Sequence, residues 1–319
     1  MTREPSTVAD GSVETISNDV ERPVVGAWVR FSFTAVHTAT AMLLRLLSLP
    51  GLYRFARMFG TIEWAINYKR RGRFAAALEQ VWGRSPTADE RRQTAREYFI
   101  RSRWDKLFYL IFDCIPRERA KALLRIENKP LLDDAVKRGR GVYVALSHHG
   151  AHHAIGMLMS LHGYKVAGVR DRKEGGLRRW VQERFDRKYP EFRRTKVLYA
   201  DSFPRDIYRC LQDGYLLGSA MDTNRVRAVN QKTEEVEIFG ERQPFLSGPL
   251  RIAIRCKCPI LQAFILPDRG YGYRMVFLEL LPNTKNVTDE EAVVSDTMKK
   301  YAANVEQQVR AAPWLMSRT

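Results

Sequence analysis

Cysteine is scarce in this chain, and acid is outnumbered. The 319 residues hold four cysteines, Cys114, Cys210, Cys256 and Cys258. That is too few for a disulfide framework, and the one close pair, Cys256-Lys257-Cys258, lacks the two-residue spacing of zinc knuckles. Reduced thiols in a cytoplasmic setting are expected. Lys and Arg number 53 against 36 Asp and Glu, a formal charge of +17. Such a surplus is silent about fold but favours anionic partners: nucleic acid, anionic lipid or an acidic carrier protein. No nucleic-acid recognition motif accompanies it, so the reading is no nucleic acid. A Gly-x-Ser-x-Gly nucleophile elbow and a His-Glu-x-x-His zinc motif are absent too. So are internal repeats and low-complexity linkers.

The N-terminus lacks the basic start of a cleaved signal. Glu4, Asp10, Glu14, Asp19 and Glu21 lie among Ser and Thr, so residues 1–25 are expected to form a disordered acidic tail. An apolar run long enough to span a bilayer is also missing. Between Arg30 and Arg45 only 14 residues are uncharged, short of the roughly 20 a spanning helix needs, and His37 interrupts them. Residues 26–50 are read as a helix in the membrane interface, with Trp28, Phe31 and the leucines facing lipid. A helix packed on its own domain fits equally well.

What remains is globular in composition, 45% hydrophobic and 28% charged, in a chain long enough for a sizeable core. Residues 26–137 are mostly helical in pattern, with a helix start in Ser85-Pro86-Thr87-Ala88-Asp89-Glu90. After residue 140 short apolar runs alternate with helical segments. GVYVALS, YKVAGV, TKVLYA, YLLGSAM, CPILQAFIL and YRMVFLEL read as strands. Residues 288–312 read as a helix opened by Thr288-Asp289-Glu290-Glu291. The expected fold is α/β, a mainly parallel mixed sheet flanked by helices, with a helical N-terminal portion. Residues 26–319 are taken as a single domain.

Four of the six histidines, His148, His149, His152 and His153, follow the run GVYVALS. In open α/β sheets ligands sit beyond the carboxyl ends of the strands, which places the cluster where such proteins do chemistry. Histidines four apart on a helix share a face, as zinc sites require, but Gly150 interrupts, and the helix is expected to begin only near Ala151. Ser147 precedes His148 on the strand and so points the other way.

A strand ending in Ser147-His148-His149-Gly150 and then a helix resembles the bacterial lysophospholipid and lipid A biosynthesis (HtrB-like) acyltransferases. Their pattern overlays with the histidine on His148 and the glycine on Gly150. Three further segments agree in order. Asp213-Gly214-Tyr215-Leu216-Leu217-Gly218-Ser219-Ala220-Met221-Asp222 is similar to the family's Gly-x-Leu-x-Gly-x-x-x-Asp strand. Ile238-Phe239-Gly240-Glu241-Arg242-Gln243-Pro244-Phe245 is similar to its Phe-Gly-Arg turn. Ser247-Gly248-Pro249-Leu250-Arg251-Ile252-Ala253 with Cys258-Pro259-Ile260 is similar to its Gly-Pro helix and following strand, and Pro313-Trp314-Leu315 to its closing end. The resemblance covers about residues 30–319.

The resemblance implies a glycerolipid acyltransferase-like fold and an O-acyltransferase without a bound cofactor or metal. The acyl donor would be a thioester of acyl carrier protein or coenzyme A. The acceptor would be a hydroxyl or amine of an anionic lipid or glycolipid, at the cytoplasmic face of the bacterial inner membrane and peripheral to it. The histidine acts as general base, oriented by a carboxylate. Here the sequence departs: the position of the motif acid holds His153, which cannot supply that charge. Asp222 ends its own strand as His148 ends GVYVALS, and is the candidate replacement, with His153 a polar neighbour. The plainer role for Asp222 is capping a loop.

Residues 164–198 are strongly basic, and Arg170, at a strand end, is a candidate phosphate or carboxylate contact. Asn224, Phe239, Gly240, Arg242, Ser247 and Gly248 are the remaining substrate-binding candidates. Ser247 is read as an N-cap whose helix terminus holds an anion. Two alternatives stay open: a catalytically degenerate member acting as a lipid- or carrier-binding protein, and a His-cluster metal protein.

Overall fold

Parallel strands covered on both faces read as near-continuous apolar runs, and the run Val142-Tyr143-Val144-Ala145 becomes such a strand. In a computed structural model, residues 26–170, 176–199, 204–222, 231–281, 284 and 287–316 are described, with backbone alone at 153, 170 and 176. The expected tail, residues 1–25, and Asn224 lie outside them.

The helical portion comprises α1 (Ala27–Ile66), α2 (Tyr68–Trp82), α3 (Ala88–Ile111) and α4 (Arg117–Ala122). After it come β1 (Leu124–Glu127), α5 (Lys129–Lys137), β2 (Val142–Leu146), α6 (Ile155–Leu161), β3 (Val166–Arg170) and α7 (Gly176–Lys188). The chain continues through β4 (Lys196–Tyr199), α8 (Pro204–Gln212), β5 (Leu216–Ala220), β6 (Thr233–Ile238), β7 (Glu241–Leu246) and α9 (Gly248–Arg255). It ends with β8 (Ile260–Asp268), β9 (Gly272–Leu281) and α10 (Glu290–Ala311). Seven strands form one sheet in the order β1-β9-β8-β2-β5-β3-β4, with β6 and β7 a separate hairpin. Within the sheet β8 and β9 pair antiparallel and the other neighbours pair parallel.

Period-two alternation splits each central strand between two cores. Val142 and Val144 of β2, with Leu261, Ala263 and Ile265 of β8, join the cluster built on Trp104, Phe108, Phe112 and Phe185. Tyr143 and Ala145, with Phe264 and Leu266, join the opposite cluster, covered by α9 and α10.

The six strands read from the sequence are all present, and the described residues hold three more. β1 is a four-residue strand inside the stretch read as helical, too short to alternate visibly. β6 and β7 were legible only as a turn: TEEVEI is half acidic, and β7 carries Pro244, which suits a short hairpin outside the main sheet.

Helix starts are set as the sequence implies at two places. Thr87 and Glu90 form a reciprocal capping box on α3, and Asp289 accepts from the Ala292 amide to open α10. The third is corrected. Ser247 precedes α9 but makes no capping bond; its side chain is fully buried, and Arg251 Nε approaches its oxygen at 3.4 Å.

Helix α1 also differs from the expectation. It is long and apolar enough, by length and composition, to cross a membrane. It bends at Ser48 (φ 60°), two residues before Pro50, and the half beyond the bend packs through Leu49, Leu52 and Ala56. The first half leaves Trp28, Phe31, Val36, Met42 and Leu46 exposed.

Candidate active site

β2 and β5 are in parallel register with Ala145 beside Ser219 and Leu146 beside Ala220. Two residues further along each strand, the same register sets His148 beside Asp222. Their side chains meet: His148 Nδ1 lies 2.8 Å from Asp222 Oδ1, and the His148 backbone N–H donates to Asp222 Oδ2 at 2.7 Å. A carboxylate only accepts, so the imidazole proton sits on Nδ1 and the lone pair on Nε2. Both side chains are mostly buried, 19% and 16% exposed, and this strengthens their attraction relative to water.

The loop after β2 is pinned from two sides. The Gly150 amide donates to the Leu315 carbonyl (2.8 Å), and the Ala151 amide approaches the Ile265 carbonyl (3.4 Å). Gly150 has φ +72°, and a Cβ there would lie 1.9 Å from the Ile265 oxygen, so only glycine fits. From α10, the Tyr301 hydroxyl donates to the Leu146 carbonyl at 2.7 Å and fixes the end of β2.

The positive φ at Gly150 breaks the helical register that would have stacked the histidines in pairs. A 3₁₀ turn begins at His152 and α6 only at Ile155, so the helix starts slightly later than Ala151. His149 is a core histidine, 2% exposed, edge-on to Phe264, with both ring nitrogens unpartnered. Burial pushes it down to about 4, and it stays neutral at physiological pH. His152 packs edge-on to His148 with ring centres 5.1 Å apart, and its Nδ1 lies 3.3 Å from the Gly150 carbonyl. Burial, then the neighbouring His148, push it down to about 3. The side chain of His153 lies outside the described residues.

Alternation also builds a cavity below the pair. Val144 and Leu146 of β2 and Leu216, Gly218 and Ala220 of β5 line one wall of a space of about 400 Å³, with His148 and His152 at one end. Met157 and Met159 of α6, Phe185 of α7, Phe192, Met275 and Phe277 extend the apolar lining, to which Arg178 and Gln182 of α7, Thr195 and Lys196 add polar groups. Leu216 sits beside Val142 in register, six residues below His148, so the cavity runs about 20 Å along the sheet. Sequence reasoning did not find this lining. Phe185 and Trp180 form the buried face of α7, which looks like that of an ordinary core helix. The available signal was the even-numbered row of small and apolar residues leading along β2 and β5 to His148 and Asp222.

The other candidates are not gathered at the pair. Phe239 (φ 54°) and Gly240 (φ 78°) form the two-residue turn of the β6–β7 hairpin. The Phe239 amide donates to Glu306 of α10, and Arg242 is exposed on β7. The base of the hairpin meets β5, where the Leu246 amide donates to the Met221 carbonyl, so its tip stands about 20 Å from Asp222. Ser247 and Gly248 follow that base directly and lie nearer to the pair. Arg170 ends β3, with only its backbone described. Ser147 is buried without a partner and is not part of the cavity lining.

A comparison with protein families matches residues 27–318 to the model described as bacterial lipid A biosynthesis acyltransferase. Comparison with curated proteins finds no match.

Proposed function

This chain belongs to the bacterial lipid A biosynthesis acyltransferase family, and from that premise we propose that it moves a fatty acyl group from a thioester to a hydroxyl or amine of an anionic lipid or glycolipid. The donor is acyl carrier protein or acyl-coenzyme A. The observation that carries this reading is the His148–Asp222 pair standing at one end of the apolar cavity.

In the proposed step the acceptor hydroxyl gives its proton to His148 Nε2 as its oxygen bonds to the thioester carbonyl carbon. Asp222 stabilises the imidazolium that forms. The tetrahedral intermediate then collapses, the carbon–sulfur bond breaks, and the proton passes from His148 to the leaving sulfur. The acyl chain occupies the cavity along β2 and β5, a volume within the usual range of ligand sites. Supplied with thioesters of graded chain length and a bacterial lipid extract, the protein is expected to prefer long chains. Leu216→Trp, at the far end of the cavity, is expected to shift that preference to shorter ones. An unchanged preference in a folded variant counts against this chain path. Absence of turnover with every thioester would favour a lipid- or carrier-binding protein.

The protein sits peripherally at the cytoplasmic face, with the first half of α1 lying in the membrane interface. That half is tied sideways to α7: Arg30 pairs with Glu183, and Phe33 and His37 pack on Trp180. The exposed apolar side chains of α1 and the basic surface supply the two kinds of attraction that interfacial helices use. Alkaline carbonate is expected to release at least part of the protein from membranes. Complete retention until detergent is added would instead indicate a spanning helix.

A further inference from the structure

His37, the polar break in α1, has a second set of partners remote in sequence. Its Nε2 lies 2.9 Å from Asp113 Oδ1 and 3.5 Å from Cys114 Sγ, and the sulfur lies 3.8 Å from the same carboxylate oxygen. Asp113 and Cys114 come from the 3₁₀ turn Phe112–Cys114 that follows α3. His37 and Asp113 are 5% and 8% exposed, while Cys114 is half-buried.

One nitrogen, one oxygen and one sulfur therefore converge on a single point. We propose that His37, Asp113 and Cys114 form a three-ligand site for a zinc-class divalent cation, which staples α1 to the body of the protein. Zn–S near 2.3 Å with Zn–N and Zn–O near 2.0 Å at tetrahedral angles requires donor–donor edges of about 3.3–3.6 Å. The three observed edges bracket that range. The donor set also selects the ion, since magnesium and calcium prefer all-oxygen shells, whereas imidazole with thiolate suits zinc. Cys114, on the partly open side, leaves access for the ion and for a water as fourth ligand.

The surroundings fit a ligand carboxylate. Arg184 of α7 holds the other oxygen, Asp113 Oδ2, through Nε at 2.8 Å and Nη2 at 2.7 Å. This fixes the carboxylate and leaves Oδ1 directed at the donors, as outer partners of metal ligands do. Although burial opposes it, the hydrogen bonds and charges of His37 and Arg184 hold Asp113 below the usual carboxylate range. Burial, and then Asp113, push the Cys114 thiol up to about 11. A divalent cation reverses that and balances one thiolate and one carboxylate. Because Arg178, Gln182 and Phe185 of the same α7 line the cavity, the ion would join the membrane-facing helix to a cavity wall.

The test uses the untagged full-length protein in detergent, stripped with chelator, dialysed and titrated with cobalt(II). One equivalent is expected to give an intense thiolate-to-cobalt absorption with tetrahedral ligand-field bands, displaced by zinc. Cys114→Ser is expected to remove the thiolate band, and His37→Gln to weaken binding at least tenfold. Zinc is expected to raise the melting temperature of wild type but not of Cys114→Ser. Metal-free Cys114→Ser should melt with metal-free wild type, which shows that the variant folds. The HHGAHH segment has no thiol, so binding there gives cobalt spectra without the thiolate band. That spectrum, a band that survives Cys114→Ser, or no stoichiometric binding each overturns the site and leaves a hydrogen-bonded latch. None of these readouts depends on acyl transfer.

Discussion

His148→Ala is expected to lower acyl transfer by about 10²-fold or more, the usual contribution of a positioned general base. Its fold should persist, because the imidazole is partly exposed at the cavity end and the loop that carries it is held by Gly150, Leu315 and Ile265 through backbone contacts. The neighbouring histidines supply the contrast. His149 is surrounded by core and neutral down to about 4, so His149→Ala is a cavity-forming change that costs stability, with no proton transfer to lose. His152 is neutral down to about 3, packs edge-on to the His148 ring and sets its Nδ1 against the Gly150 carbonyl. Steady-state rates with one thioester, alongside thermal unfolding of each variant, separate the three. Near-normal turnover in a folded His148→Ala protein would remove His148 from the mechanism.

That only one histidine of the cluster carries the proposed chemistry was partly legible in the chain. The apolar run ending at His148 marks a buried strand, and the strand ending at Asp222 has the same form, so a meeting of their ends follows once the two are neighbours. Neighbourhood itself was not legible. β5 is fourth in sequence after β1 but lies directly beside β2, because the chain first builds β3 and β4 further out. No local pattern encodes that order. The distinction between His148 and His149 was available from period two, since His148 continues the row of Val142, Val144 and Leu146 while His149 falls on the row facing α10. The cavity was hidden for a different reason. Its lining comes from β2, β3, β4, β5, β9, α3, α6 and α7, and most of those residues look like ordinary core in isolation.

The basic stretch shows how charge misleads without geometry. From the sequence, residues 164–198 read as an open basic rim for anionic partners. Arg184 is committed to Asp113, and Lys196 to Asp213 at 2.8 Å. Such pairs shrink the surface left for an acidic donor, and the first of them ties α7 to the turn after α3. Arg178 and Lys196 also line the cavity. Under the proposed function they stand where an anionic group on a substrate would meet the site.

Asp222→Asn is expected to cost acyl transfer about as much as losing the base, again about 10²-fold or more. The reason lies in what the carboxylate receives. Oδ1 faces the His148 ring and Oδ2 faces the His148 backbone N–H, so both partners are donors. An amide can accept from only one of them. If its oxygen takes the backbone N–H, its NH₂ faces Nδ1 and holds the ring as the tautomer with the proton on Nε2, unable to act as base. If its oxygen takes Nδ1–H instead, the NH₂ is set against the backbone donor in a mostly buried place, and an unpaired donor costs about 1–3 kcal/mol. In either arrangement the negative charge that supports the imidazolium is gone. His153→Glu, which restores an acid at the family's usual position, is expected to be tolerated or to raise activity, and to recover part of the rate in an Asp222→Asn background. The decisive comparison is the two single variants under one assay. If Asp222→Asn runs near the wild-type rate while His153→Glu is inactive, Asp222 only secures the loop and the chemistry belongs to His153.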